Sequence, residues 1–473
     1  MFATRGRNAG NEREDMGAIP GGIDTDQQPP MTIPLRHFVV GLAFLMAGAF
    51  AGALGPLGVV PGRAGVAHAH LLLAGWACVT ILGAMTQFVP VWSGTSLHSR
   101  RLATWQLPLV AGGLAGVVAS FLGEWYGLIH MFGGVAMLGF WLFAYNLART
   151  LWTARPLDVT ERHFAAALSF FVLVPAFGVV LALGYAEPLF AGLPVSRAAF
   201  RSAHVTLAVY GAVLSTVVGG LYQLATMFTQ TDLSPVEVRF QRVETVAYPL
   251  GVVLLAAGRL LAWRPLAAVG GVLVALSLAG VGVVVARLLR DARVPRTPML
   301  TRYAVVAGAL VAWGLLTAAE WVRAPLDPAL LFGAAAPHLL LLGVVGFVVL
   351  GTLYHIVPFI VWVHRYSDLL GFEDVPMIDD LYDSRLATVD FWAVLGGSGV
   401  LLATTVVDLP PVAVAAGGLL TVVGVAVFAA NLLLVVRRHS PHTVPGLLWS
   451  RLAVGNGDAT ESASPSTDGG RRE

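Results

Sequence analysis

Long apolar runs separated by short polar connections repeat along nearly the whole chain, and they set its organisation. The pattern predicts twelve spans, near residues 37–59, 66–92, 104–122, 126–148, 164–186, 200–228, 243–262, 266–287, 302–321, 333–363, 388–407 and 412–436. Most of these runs reach the roughly 20 apolar residues a helix needs to cross a bilayer. Lipid offers no partner for a backbone amide, so such runs must be helices. The organisation expected is a polar, disordered cytoplasmic tail over 1–35, a twelve-helix membrane domain over 36–437, and a second tail over 438–473, disordered towards its end. The polar leader before Phe38 is too long for a signal peptide, so the first run is read as a retained helix.

Three of the runs share one sentence. Val66 to Trp92 reads VAHAHLLLAGWACVTILGAMTQFVPVW, and Pro337 to Ile360 reads PHLLLLGVVGFVVLGTLYHIVPFI. With His70 set on His338, Leu71, Leu72, Leu73, Gly75, Gly83, Val89 and Pro90 fall on Leu339, Leu340, Leu341, Gly343, Gly351, Val357 and Pro358, and Gln87 falls on His355. A weaker copy, Ala203 to Phe228, lies midway and opens on His204; Gly219 and Gln223 match Gly83 and Gln87 if it gains two residues. Equal spacing of three histidine-headed copies predicts an internal threefold repeat. The fold class is then an all-α integral membrane protein with twelve transmembrane helices in three pseudo-threefold-related groups of four.

Composition agrees: 57% of residues are hydrophobic and 12% charged, which places the chain in a membrane. The net charge of +2 gives no reason to expect nucleic acid. Cys78 is the one cysteine, which excludes an internal disulfide and covalent haem attachment through a C-x-x-C-H run. All 29 basic residues are arginine, and their distribution predicts orientation. With the N-terminus inside, only Arg63, Arg197, Arg201, Arg259, Arg264 and Arg323 fall on the outer side, so both termini are expected to be cytoplasmic, in a cytoplasmic (plasma) membrane.

In that orientation His68, His70, His204 and His338 share the outer third of the bilayer, joined by His130. Gln87, Gln223 and His355 lie about 25 Å further in, at 1.5 Å per residue. A histidine inside a span is costly and marks a candidate site. His68 and His70 are separated by about 200° around a helix, so they cannot chelate one metal together and instead suit a helix standing between two sites. Imidazoles on two facing helices of an apolar bundle are a way to grip a tetrapyrrole from both sides of its iron. His37 and His163 fall at span ends and are expected at the interface.

The pattern resembles subunit I of the haem–copper oxidase superfamily; H-A-H-L-L-L-A-G-W at 68–76 followed by G-A at 83–84 and V-P at 89–90 is most similar to cbb-type oxidases and nitric oxide reductases. The resemblance implies twelve helices in three arcs, haem b, and a low-spin haem iron held by a histidine on helix two and one on helix ten. Carried over, the axial ligands are His70 (or His68) and His338, with His68 and His204 as further cofactor-binding candidates; no catalytic residue is assigned. The chain departs from the family at helix seven, which has no histidine, and at helix ten, which has no second one near His338. Copper is therefore not expected, and the usual binuclear site is not buildable. The implied function is a haem-binding membrane protein in respiratory electron transfer or gas-related haem chemistry, working with membrane lipid, other respiratory subunits, or a cytochrome or cupredoxin electron donor. The alternatives are a multi-pass transporter and a structural relative without haem; against transport, the repeats share one orientation.

Topology is testable directly. Single cysteines at positions 408 and 380 should be labelled by an impermeant reagent from outside and only after permeabilisation, respectively; the opposite pattern would overturn the orientation.

Overall fold

In the computed structural model the three histidine-headed runs become the innermost helices. Residues 29–334 and 337–449 are described; most of both expected tails, 1–28 and 450–473, lies outside the described residues. Among the described residues, twelve helices are long and apolar enough to cross a membrane: α1 (Thr32–Leu57), α2 (Ala64–Ser93), α3 (Arg100–Leu122), α4 (Tyr126–Thr153), α5 (Val159–Ala186), α6 (Arg197–Thr229), α7 (Pro235–Leu260), α8 (Arg264–Arg290), α9 (Pro298–Arg323), α10 (Pro337–Arg365), α11 (Ser384–Ala403) and α12 (Pro411–His439). A short α13 (Val444–Trp449) comes next, inside the stretch expected to be tail. The chain is an all-α, multi-pass membrane protein.

Burial separates an inner set from an outer ring. In α2, α6 and α10 the most apolar window is 78%, 83% and 78% buried, against 33% and 28% in α4 and α5. The other nine helices surround this core in three arcs, α3–α4–α5, α7–α8–α9 and α11–α12–α1. Their outward faces carry apolar side chains such as Leu138, Leu276, Val283 and Leu315, as a lipid-facing surface requires. Each inner helix contains one wide π-helical stretch, at His70–Cys78, Leu207–Val213 and Leu341–Gly346. A wide turn of this kind shifts the register of the turns after it and is frequent at functional sites. Here it falls just after the leading histidine each time.

The threefold rule extends to buried polar chemistry that periodicity does not reveal. A Cβ on Gly83 would meet His37 Cβ at 2.6 Å, one on Gly219 would meet His163 Cβ at 2.8 Å, and one on Gly351 would meet Arg302 Cβ at 3.1 Å. At each of these places the first helix of a group crosses close against its inner helix, and only a glycine leaves room. The polar residue so admitted bonds in the same way in all three groups. His37 Nδ1 bonds to the Ile33 carbonyl at 2.8 Å, His163 Nδ1 to Val159 at 2.8 Å, and Arg302 Nη1 to Pro298 at 2.8 Å, always the residue four before.

Each group then completes a triad. His37 Nε2 accepts from Gln106 on α3, which also donates to Thr86 on α2. His163 Nε2 meets Glu244 on α7 at 3.2 Å, and Tyr222 on α6 donates to the same carboxylate. Arg302 pairs with Asp390 on α11, and Tyr354 on α10 donates to that carboxylate. Thr86, Tyr222 and Tyr354 each lie three residues after the close-contact glycine. Both His37 and His163 are 1% exposed, so these residues near the span ends are packed inside the protein rather than on its surface. The glycine repeat was visible in the sequence, but the residue it receives comes from another helix.

The third triad carries full charges, and breaking one side should cost more than removing both. Asp390→Leu leaves the Arg302 guanidinium buried without its carboxylate and should destabilise by about 3–5 kcal/mol. The double change Arg302→Met, Asp390→Leu should recover most of that loss in thermal unfolding in detergent. A double variant no more stable than the single one would show that charge pairing is not what holds α9 to α11.

Candidate functional site

Helix α2 presents His68 and His70 to different surroundings. His70 faces a cavity of about 440 Å³ enclosed by α2 to α6, whose lining is predominantly apolar. That volume lies within the roughly 300–1,000 Å³ of small-molecule sites. His204, on α6, lines the same cavity. The wide turns of α2 and α6 touch. Leu114, Phe140, Phe171 and Val209 contribute to the walls.

Both imidazoles are held in one tautomer. His70 Nδ1 donates to the Val66 carbonyl at 2.8 Å, and His204 Nδ1 donates to the Val174 carbonyl at 3.1 Å. Fixing the proton on Nδ1 leaves Nε2 with its lone pair, the arrangement a metal-ligating histidine adopts. Among the described residues, neither Nε2 has a hydrogen-bond partner. Gly178 on α5 passes beneath the His204 ring, where a Cβ would stand 3.3 Å from Cε1. Phe121 packs against His70 with 5.5 Å between ring centroids.

His68 turns the other way. Its Nδ1 bonds to the Gly48 carbonyl of α1 at 2.8 Å. The Nδ1 of His338 is buried without a hydrogen-bond partner. His338 also lines a groove between α9, α10 and α11, together with Gly308, Ala309 and Gly343. Of the four candidate histidines, His70 and His204 line one cavity, while His68 bonds to α1 and His338 lines a separate groove. His70 and His338, matched in sequence, line different cavities. His130 lies on α4 with Nδ1 buried and unpartnered, and it does not line the large cavity.

Between α6 and α7 the space is filled by large side chains. Arg259, expected on the outer side near the end of its span, is 4% exposed. It donates to Thr206 Oγ1 at 2.8 Å and to the carbonyls of Pro325, Leu330 and Leu331, and it stacks over Trp321 at 5.0 Å. Tyr210 donates to the Leu331 carbonyl and packs on Trp313 and Trp321, and Tyr248 donates to the Tyr210 carbonyl. The connection after α9 thus folds inward as a plug. Among the described residues, no group of three or more His, Cys, Asp or Glu side chains converges to hold a metal ion.

The charged rim was also hidden in the sequence. Arg63, Arg197 and Arg201 line the mouth of the histidine cavity. They look like ordinary loop and helix-start arginines until the fold brings them together. His355, at the opposite end of α10, lies against Phe228 and Phe359 and lines a cavity with Tyr382 and Asp379.

No protein-family model matches the chain, and no curated protein shows significant similarity to it.

The plug makes its own prediction. Arg259→Leu strands the Pro325 carbonyl, while Leu331 keeps Tyr210 and Leu330 keeps Trp321 as donors, and losing a buried hydrogen-bonded partner costs roughly 1–3 kcal/mol. Amide exchange across residues 324–334 should accelerate while α2 stays protected; unchanged exchange would mean that the aromatic contacts alone hold the plug.

Proposed function

We propose that the chain is a haem-binding membrane protein whose tetrapyrrole occupies the cavity between α2 and α6, with His70 and His204 as axial ligands. The observation that carries this reading is the pair of imidazoles, each fixed with Nδ1 bonded to a carbonyl, facing one apolar cavity of ligand size. A flat, hydrophobic ring bearing a metal is the ligand for which that donor set is suited. The pairing differs from the one the family resemblance implies: His204 replaces His338 as the partner of His70.

When bound, such a haem would supply reversible one-electron transfer. The protein's part is orientation and electrostatics. The Val66 and Val174 carbonyls hold the two rings and raise their basicity as ligands. The walls from α3, α4 and α5 exclude water. Electron transfer is favoured over reduction of a gas for a positive reason: Arg259, Tyr210 and Trp321 occupy the place next to α7, and a guanidinium there opposes a second cationic metal. The electron donor would be another respiratory subunit or a small redox protein.

The full chain, purified from cells well supplied with haem, should show a reversible low-spin b-type spectrum. His70→Ala and His204→Ala should each abolish that spectrum or convert it to one that binds carbon monoxide. His338→Ala should leave it in place. An unchanged spectrum in both of the first two variants would sink the assignment, and loss only in His338→Ala would restore the pairing of α2 with α10.

A further inference from the structure

A second cavity lies where α2, α6 and α10 face one another. Its volume is about 90 Å³, and it shares no lining residue with the cavity of His70 and His204. Thr80, the first α2 residue in its wall, stands ten residues after His70, about 15 Å further along the helix. The lining repeats with the fold. Ala84, Gly220 and Thr352 each come one residue after the close-contact glycine of their helix, and Thr80, Thr216 and Val348 each come three before it. Equivalent positions of all three inner helices thus contribute, which puts the void on the pseudo-threefold axis.

A glycine that helix packing does not require keeps this space open. A Cβ on Gly219 would stand 2.8 Å from His163 Cβ, so that position must be glycine. One on Gly220, the next residue, would meet only Leu224 Cδ1, at 4.0 Å. Gly220 sits within the regular helical stretch Leu214–Thr229, without the positive φ that favours glycine. Glycine inside a helix is destabilising relative to alanine, and here neither a close contact nor the backbone calls for it. What it provides is room, in a protein interior where voids larger than a water are few.

The walls decide what can occupy it. Thr216 Oγ1 donates to the Ala212 carbonyl at 2.9 Å, and Thr352 Oγ1 is bonded to the Tyr303 hydroxyl at 2.8 Å. Thr80 Oγ1 is buried without a partner, but it lies against α1, where a Cβ on Gly41 would stand 2.8 Å from it. Trp92 Nε1, also buried without a partner, is twelve residues further on, about 18 Å along the helix. One water cannot serve both. A buried water needs two to four polar partners in one place, and an apolar void without them stays dry and accepts an apolar guest. The volume is below the roughly 150 Å³ of a void that takes benzene, so the guest has only a few atoms. We infer that the axial cavity is a binding site for a small uncharged gas molecule of the class of dioxygen or nitric oxide. The gas is held by the protein's own side chains, apart from any metal, so the inference stands independently of the haem reading.

The probe is xenon, an apolar gas that anomalous scattering locates. Crystals of the full chain under xenon pressure should show a peak on the axis, in van der Waals contact with Ala84 and Gly220. Ala84→Leu and Gly220→Val fill the void from two different helices, and each should abolish that peak. Gly220→Ala adds a single methyl group; it should weaken the peak and raise the melting temperature in detergent, which keeps the test available if the larger side chains prevent folding. No axial peak in the parent chain would overturn the inference, as would a peak that none of the three changes diminishes. Ordered water density in the void without xenon would overturn it too, by showing a polar site. The haem reading is judged apart. An axial xenon peak in a protein that binds no haem leaves this inference standing, and a normal haem spectrum without the peak sinks this inference alone.

Discussion

A polar side chain inside a lipid-embedded bundle must find its partners within the protein, and this requirement shapes each third of the molecule in the same way. A glycine on the inner helix admits a polar residue from the first helix of the group. That residue bonds back to its own helix, then to a partner on the third helix and near a hydroxyl on the inner one. The chemistry grades from neutral in the first group, His37 with Gln106, to a full ion pair in the third, Arg302 with Asp390. The geometry is common while the charges differ, so what the three groups share is the close helix contact and the need to satisfy the polar atoms it buries.

With the helices fixed in this way, the three spaces between neighbouring groups differ by what fills them. Between the first and second, small and aliphatic side chains leave a cavity with His70 and His204 across it. Between the second and third, Tyr210, Trp313, Trp321 and Arg259 fill the corresponding volume. A related difference appears beside the wide turns. Gly75 packs on Phe44 and Gly211 on Phe170, but Gly343 meets only Ala309, and a groove lined by His338 opens there. One scaffold thus holds a site, a plug and a groove through the size of a few side chains.

Much of the fold was legible from the sequence because the inner helices are the most constrained. Helices surrounded on all sides by protein must place glycine and histidine at corresponding depths, so α2 and α10 retain a readable likeness. The twelve spans, the threefold repeat and the opposite facing of His68 and His70 all come from that constraint. The pairing of histidines did not, since sequence likeness relates equivalent positions, not neighbours. His70 and His338 match because they occupy the same place in different groups. Each therefore meets different surroundings. The burial of Arg259 was not legible because hydropathy cannot tell a charged helix end in solvent from one buried under an inward-folding connection. The rim of Arg63, Arg197 and Arg201 was equally hidden, since it joins the connection before α2 to the start of α6.

The central claim is that one ligand spans α2 and α6 at His70 and His204. An electron cryomicroscopy map of the haem-replete protein, at a resolution that shows side chains, tests it most directly. The account predicts planar density with a central metal peak between the Nε2 atoms of those two residues. Planar density between His68 and His338 instead, or only acyl-chain density in the large cavity, would contradict it.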